Sequence, residues 1–173
     1  MFKSVNSLLF ATNLSENCRP ALEAAVALAA QNQATLVLLY VIGLEAHGGL
    51  DNYVRVYVGE KRWKEIEKEI EEDVSQTLTG KMTSKNIVEN VVRKDSKDAG
   101  IDTSGINWET IVAENTEVTE EILNQAAINN CDLIIMGDRK GFLGSNAVGS
   151  KIKTVLRKSK TPVMVVPSGH EKQ

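Results

Sequence analysis

Leu133-Ile134-Ile135-Met136-Gly137 is an unbroken apolar run that stops at a glycine, the pattern of a strand buried on both faces. Asp138 follows, then Gly141, Gly144 and Gly149, and Ser150 opens a basic amphipathic segment with helical spacing. A strand, a glycine-rich loop and a helix N-terminus in succession make an anion pocket. Glycines let the backbone come close to a phosphate, and the free N–H groups of the first helical turn point at it. The working end of the molecule is therefore expected just after residue 137, and a nucleotide is the first ligand to consider.

The same alternation extends toward both termini. Val5 to Ala11 contains Leu8-Leu9-Phe10-Ala11, suited to a central strand, and Asn13-Leu14-Ser15-Glu16-Asn17 ends it with turn chemistry. Pro20 falls in the first turn of a helix whose stripe is Ala21, Ala24, Ala25 and Leu28, widened by Leu22 and Val26. Ala34 to Ile42 is a second buried strand. After an irregular loop with His47, Gly48 and Gly49, the residues Trp63, Ile66, Ile70, Val74 and Leu78 recur at helical spacing. This helical layer is placed at 54–94, kinked or ended at Gly80 and resumed by Ile87, Val88, Val91 and Val92. The stretch from Asp95 to Gly105 reads as polar turn. Trp108 to Ala113 is a third strand. Asn115 or Thr116 then caps a helix that buries Val118, Ile122, Leu123 and Ala126. Residues 132–137 form the fourth strand, Ile152, Val155 and Leu156 face inward from the next helix, and Pro162 to Pro167 is an edge strand between prolines. Five strands alternating with helices predict an α/β fold, a doubly wound five-stranded parallel sheet with helices on both faces. Ligands bind such sheets beyond the carboxyl ends of the strands, where strand order reverses, which gathers Asn13, Val41 to Gly43 and Gly137 at one end.

A chain of 173 residues suits a single domain over 1–173, with 168–173 as a tail. A formal net charge of −3 leaves no basic surplus of the kind nucleic acid requires. No window nears the roughly eighteen apolar residues of a membrane span. Met1-Phe2-Lys3-Ser4 leads into the first strand without an apolar leader segment, and Cys18 and Cys131 form no CxxC pair. A cytoplasmic protein with buried, reduced thiols is expected. His47 and His170 have no companions spaced for a metal, and neither Ser15 nor Ser150 has a histidine in any motif, so neither metal-ligating nor catalytic residues are expected.

The order of elements, with a glycine loop before the last helix and Pro162-Val163-Met164-Val165-Val166 at the end, resembles the universal stress protein family. The resemblance covers nearly the whole chain. It is most specific in Asp132 to Gly137, in Gly149-Ser150 and in Lys160 to Val166, and looser in Leu9 to Ser15 and Val37 to Ile42. It implies the adenine nucleotide alpha-hydrolase-like form of the fold and the binding of ATP or AMP, with Mg2+ entering only through the phosphates. Members that bind ATP share a stricter pattern of Gly, two residues, Gly, nine residues, Gly, then Ser or Thr. Gly137 matches the first glycine and Gly149-Ser150 the final pair, but Lys140 stands where the second glycine belongs, and the glycine comes one later at Gly141. The step from Gly137 to Gly149 is twelve residues, against thirteen in that pattern. Asn13 replaces the aspartate that ATP-binding members carry at the end of strand one. Carried over, Gly137, Arg139, Lys140, Gly141, Gly149 and Ser150 hold phosphates, Thr12 and Asn13 meet the ribose or a metal-linked water, and Val41 meets the adenine.

Two readings of function follow. The first is a nucleotide-binding protein of stress response that acts by binding rather than by fast chemistry, a slow ATPase at best, with Asp138 or Glu114 positioning a water. The second, motivated by the contracted loop and Asn13, is a dimeric interaction module without nucleotide. In both, the edge strand 162–167 pairs with its copy in a second chain to give a homodimer, because a bare apolar edge is a pairing liability.

Overall fold

The apolar runs become five parallel strands: β1 (Ser7–Thr12), β2 (Thr35–Ile42), β3 (Trp108–Glu114), β4 (Leu133–Asp138) and β5 (Val163–Pro167). Their order across the sheet is β3-β2-β1-β4-β5, with β1 paired to both β2 and β4. The computed structural model describes residues 4–42, 54–56, 58–75, 83–138 and 148–168, and within 69–75 the backbone alone. The helices among them are α1 (Arg19–Asn32), α2 (Glu60–Ser75), α3 (Ser84–Asp98), α4 (Val118–Ile128) and α5 (Ser150–Lys158), with a 3-10 turn at Glu16–Cys18. None of them is long and apolar enough to cross a membrane.

Alternation along each strand divides the core into two layers. Leu8, Phe10, Leu36, Leu38 and Ile135 pack with Ala21, Ala25 and Ala29 of α1, Trp63 and Ile66 of α2, and Val88 and Val91 of α3. Leu9, Val37, Leu39, Ile134 and Met136 face the other way, onto Ile122 and Ala126 of α4 and Ile152 and Val155 of α5. Helices cover both faces, which is why the strands carry no polar face. Pro20 stands in the first turn of α1, where its missing N–H leaves nothing unpaired. Gln33 closes that helix in the left-handed region (φ 54), its N–H reaching the carbonyls of Ala29 and Ala30.

Three expectations change. Asp95 and Ser96 are not in a polar turn: α3 runs on to Asp98 and both residues are buried. The Ser96 hydroxyl donates to Val92 O at 2.8 Å, and Asp95 pairs with Arg62 of α2 and, at 3.3 Å, with Arg19 at the start of α1. Leu156 is 48% exposed, because the short α5 turns only Ile152 and Val155 toward the sheet. Cys131 is buried as expected, but Cys18 is only half-buried. The side chains of Ile70 and Val74, together with Leu78, Gly80, Gly43 and the loop containing His47, lie outside the described residues, as does His170.

Candidate functional site

Strand order reverses at β1, whose neighbours β2 and β4 connect to helices on opposite sides, and a crevice opens there at the carboxyl ends. It encloses about 370 Å³. Thr12 and Asn13 enter it from β1, Val41 from β2, Gly137 and Asp138 from β4, and Gly149, Ser150 and Lys151 from the start of α5. Leu39, Val118, Ile122, Met136 and Ile152 form an apolar wall.

The rim at β1 is built by short-range hydrogen bonds. Thr12 Oγ1 accepts from Leu14 N at 3.0 Å, and Asn13 Oδ1 accepts from Ser15 N at 3.0 Å. The Cys18 thiol also donates to Asn13 Oδ1, at 3.2 Å. Leu14, buried, is held at φ 63, a conformation that a branched side chain adopts only when its surroundings impose it. The acceptor oxygen of Asn13 is thus committed to the turn, which leaves its amide nitrogen as the group for a ligand. The sequence marked Asn13 both as turn chemistry and as a ligand contact, and the Asx-turn pairing with Ser15 N bears out the first.

The two matched glycines differ in what they do. A Cβ at Gly137 would stand 3.4 Å from Ala21 Cβ, Asn17 O and Cys18 Cα, in ordinary van der Waals contact with the start of α1. A Cβ at Gly149 would meet nothing within 4 Å. Gly149 is the N-cap of α5 and offers no side-chain cap, so the first-turn N–H groups remain available to an anion in the crevice. Lys151 adds a cation beside them.

Asp138, the last residue of β4, lines the crevice with its Oδ1 buried and reached by no hydrogen bond among the described residues. At the neighbouring helix, Glu117 and neither Asn115 nor Thr116 occupies the N-cap of α4. Asn115 acts one turn away: its Oδ1 accepts from Glu117 N at 2.9 Å and its Nδ2 donates to the buried Glu121 at 2.8 Å. Gln125 Nε2 donates to the other oxygen of Glu121 at 2.8 Å, which fixes the helix end that presents Val118 and Ile122 to the crevice. Of the residues expected at the site, Thr12, Asn13, Val41, Gly137, Gly149 and Ser150 meet in one cavity, while Arg139, Lys140 and Gly141 lie outside the described residues. Among the described residues no three His, Cys, Asp or Glu side chains gather as a metal site would need.

These features define an α/β protein of 3-2-1-4-5 strand order with a ligand crevice at the reversal point. The family model described as "Universal stress protein family" matches residues 5–167, and the chain belongs to the universal stress protein family. Among solved structures it is similar to hypothetical protein MJ0577 (22% identity, TM-score 0.61, covering 98% of this chain and 100% of that one). It is also similar to universal stress protein UspA from Lactobacillus plantarum (17%, 0.60, 95% and 99%). A third likeness is to a universal stress protein in complex with cAMP (15%, 0.55, 96% and 100%). At these identities the likeness is one of fold. No curated protein matches the chain.

Proposed function

We propose that this chain is a cytoplasmic stress-response protein that binds an adenine nucleotide, ATP foremost, in the crevice between β1, β2 and β4, and that it acts by binding rather than by rapid turnover. The observation that carries the reading is the meeting, in one cavity of about 370 Å³, of an apolar wall with the uncapped N-terminus of a helix. Adenine is apolar on its faces and suits the wall of Leu39, Val41, Val118 and Ile122, while phosphate suits the N–H groups beyond Gly149 and the Lys151 ammonium. The complex of a family member with cAMP supports the adenine part of this assignment. Magnesium would arrive on the phosphates, since the described residues alone offer no metal cluster.

Calorimetric titration of the full chain with ATP and magnesium tests the reading. One saturable site per chain is expected, with a Kd well below about 1 mM, the weak limit set by about −4 kcal/mol of binding free energy; absence of saturation in that range would overturn it. Gly149→Asp sharpens the test. The new side chain has room and improves the cap of α5, so stability holds or rises by a few tenths of about 1 kcal/mol, yet its carboxylate stands where phosphate binds and affinity falls by about tenfold or more.

One observation favours the second reading, an interaction module without nucleotide: Asn13 Oδ1, at the position of the family's aspartate, is already engaged by Ser15 and Cys18. Adenine nucleotide released on denaturing the purified protein, identified by mass, would exclude it.

A further inference from the structure

Asp138 places a carboxylate oxygen in the crevice that nothing in the described protein satisfies. Its backbone is held at the crevice, because it is the terminal residue of β4, in register with Pro167, and its carbonyl accepts from Ser168 N at 3.2 Å. A buried carboxylate oxygen without a donor or a cation is costly. Lys151 lines the same cavity but no ion pair joins the two side chains, and the helix end beside them favours an anion. A phosphate bound there and the Asp138 carboxylate would repel one another unless a cation stands between them.

We infer that Asp138 makes a divalent cation part of the ligand: the crevice takes the metal complex of a nucleoside di- or triphosphate, with Asp138 Oδ1 supplying the protein's oxygen to the cation and the phosphates supplying the rest. This rests on the nucleotide reading above and goes beyond it in assigning a metal-facing side chain and a ligand charge state. The chemistry fits a hard cation of the magnesium type, which is held by one or two carboxylates together with substrate phosphates and water rather than by an all-protein cage. The described residues bring no three-residue acidic or histidine cluster to the cation, so the phosphates are its main ligands in this assignment. Cation and nucleotide therefore raise one another's affinity reciprocally.

The experiment is calorimetric titration of the full chain and of Asp138→Asn with ATP, each in magnesium and in EDTA. The wild type binds ATP about tenfold or more tightly in magnesium than in EDTA. Asp138→Asn binds more tightly than wild type in EDTA, where repulsion is relieved, and more weakly than wild type in magnesium, where a ligand oxygen of full charge is lost. This crossing is the signature. A variant tighter under both conditions shows repulsion without coordination and overturns the inference, as does one weaker or unchanged under both. Titration of the wild type with AMP, which lacks the phosphate pair that chelates a cation, gives an independent check should the variant fail to fold: magnesium changes AMP affinity by less than about twofold, and an equal effect on AMP and ATP overturns the inference. If no nucleotide binds under any condition, the underlying functional reading fails as well, a result distinct from metal-independent binding.

Discussion

Cys131 sits at the amino end of β4 with its Sγ 3.5 Å from the Ser7 hydroxyl, and burial raises its pKa above the ordinary 9.0. A group whose folded pKa is raised stabilises fully below its unfolded pKa and ceases to do so as pH rises through the folded one. Stability is therefore expected to decline above pH 9.0 as the unfolded chain sheds the proton first, and Cys131→Ala is expected to flatten that decline in urea titrations run across the alkaline range. The same burial makes the native protein expose one thiol, Cys18, to an aromatic disulfide reagent, with the second reacting only in denaturant. Gly137 carries a different lesson. The residues suggested a phosphate contact, and the structure adds a second neighbourhood, the start of α1 at Asn17, Cys18 and Ala21, a tertiary contact that no local pattern announces. Gly137→Ala is expected to leave stability within about 1 kcal/mol of wild type in chemical denaturation, since a methyl group there meets its neighbours at 3.4 Å, ordinary van der Waals contact, and the backbone needs no positive φ.

Between elements, apolar periodicity made α1, the strands and the buried stripe of α3 readable, because each buries its residues at a fixed local spacing. Periodicity failed where a charge was buried. Asp95 read as loop because an aspartate in a polar run carries no sign of a partner far along the chain, and its partners Arg19 and Arg62 come from α1 and α2. The pair is shielded, with side-chain exposures of 10% for Arg62 and 7% for Asp95, and burial followed by the nearby charge of Arg19 pulls the Arg62 guanidinium below its ordinary range. Among the described residues Arg62 Nε and Nη1 have no hydrogen-bond partner, so Asp95 is the carboxylate in direct contact with the charge, with Glu16, Asp98 and Glu65 acting from farther away. Asp95→Ala is expected to destabilise by about 3–5 kcal/mol, measured as a lower urea midpoint at unchanged slope, because it strands the buried Arg62 guanidinium, whereas Arg19 keeps Glu16 at 3.8 Å. Replacing both partners, Arg62→Met with Asp95→Leu, should recover most of that loss, and a double variant as unstable as the single one would show that the pair does more than offset burial.

At the scale of the molecule, the parallel sheet and a crevice at the carboxyl ends of its strands were legible from the alternation of elements, whereas the order β3-β2-β1-β4-β5 was not, because many orders satisfy the same alternation. What did not follow were the wall residues Val118, Ile122 and Ile152, because they reach the cavity from the starts of two helices whose placement over the sheet no local spacing records. The edge strand bears on assembly in the same way. Ile134 N donates to Pro162 O and Ser168 N to Asp138 O, so by strand alternation the N–H and C=O groups of Met164 and Val166 face β4 and those of Val163 and Val165 face outward. An apolar edge strand whose outer hydrogen-bonding groups have no partner among the described residues, with Met164 40% exposed, invites pairing with its own copy, and a two-fold antiparallel contact satisfies both chains identically. We propose that the chain forms this homodimer, giving a sedimentation mass of twice the 18.9 kDa protomer. Val165→Pro removes an outward N–H while sparing the ladder to β4, so it should shift the mass to that of one chain with the far-ultraviolet dichroism retained. A variant that stays dimeric, or a wild type that sediments as a single chain at every concentration, would place the contact elsewhere or remove it.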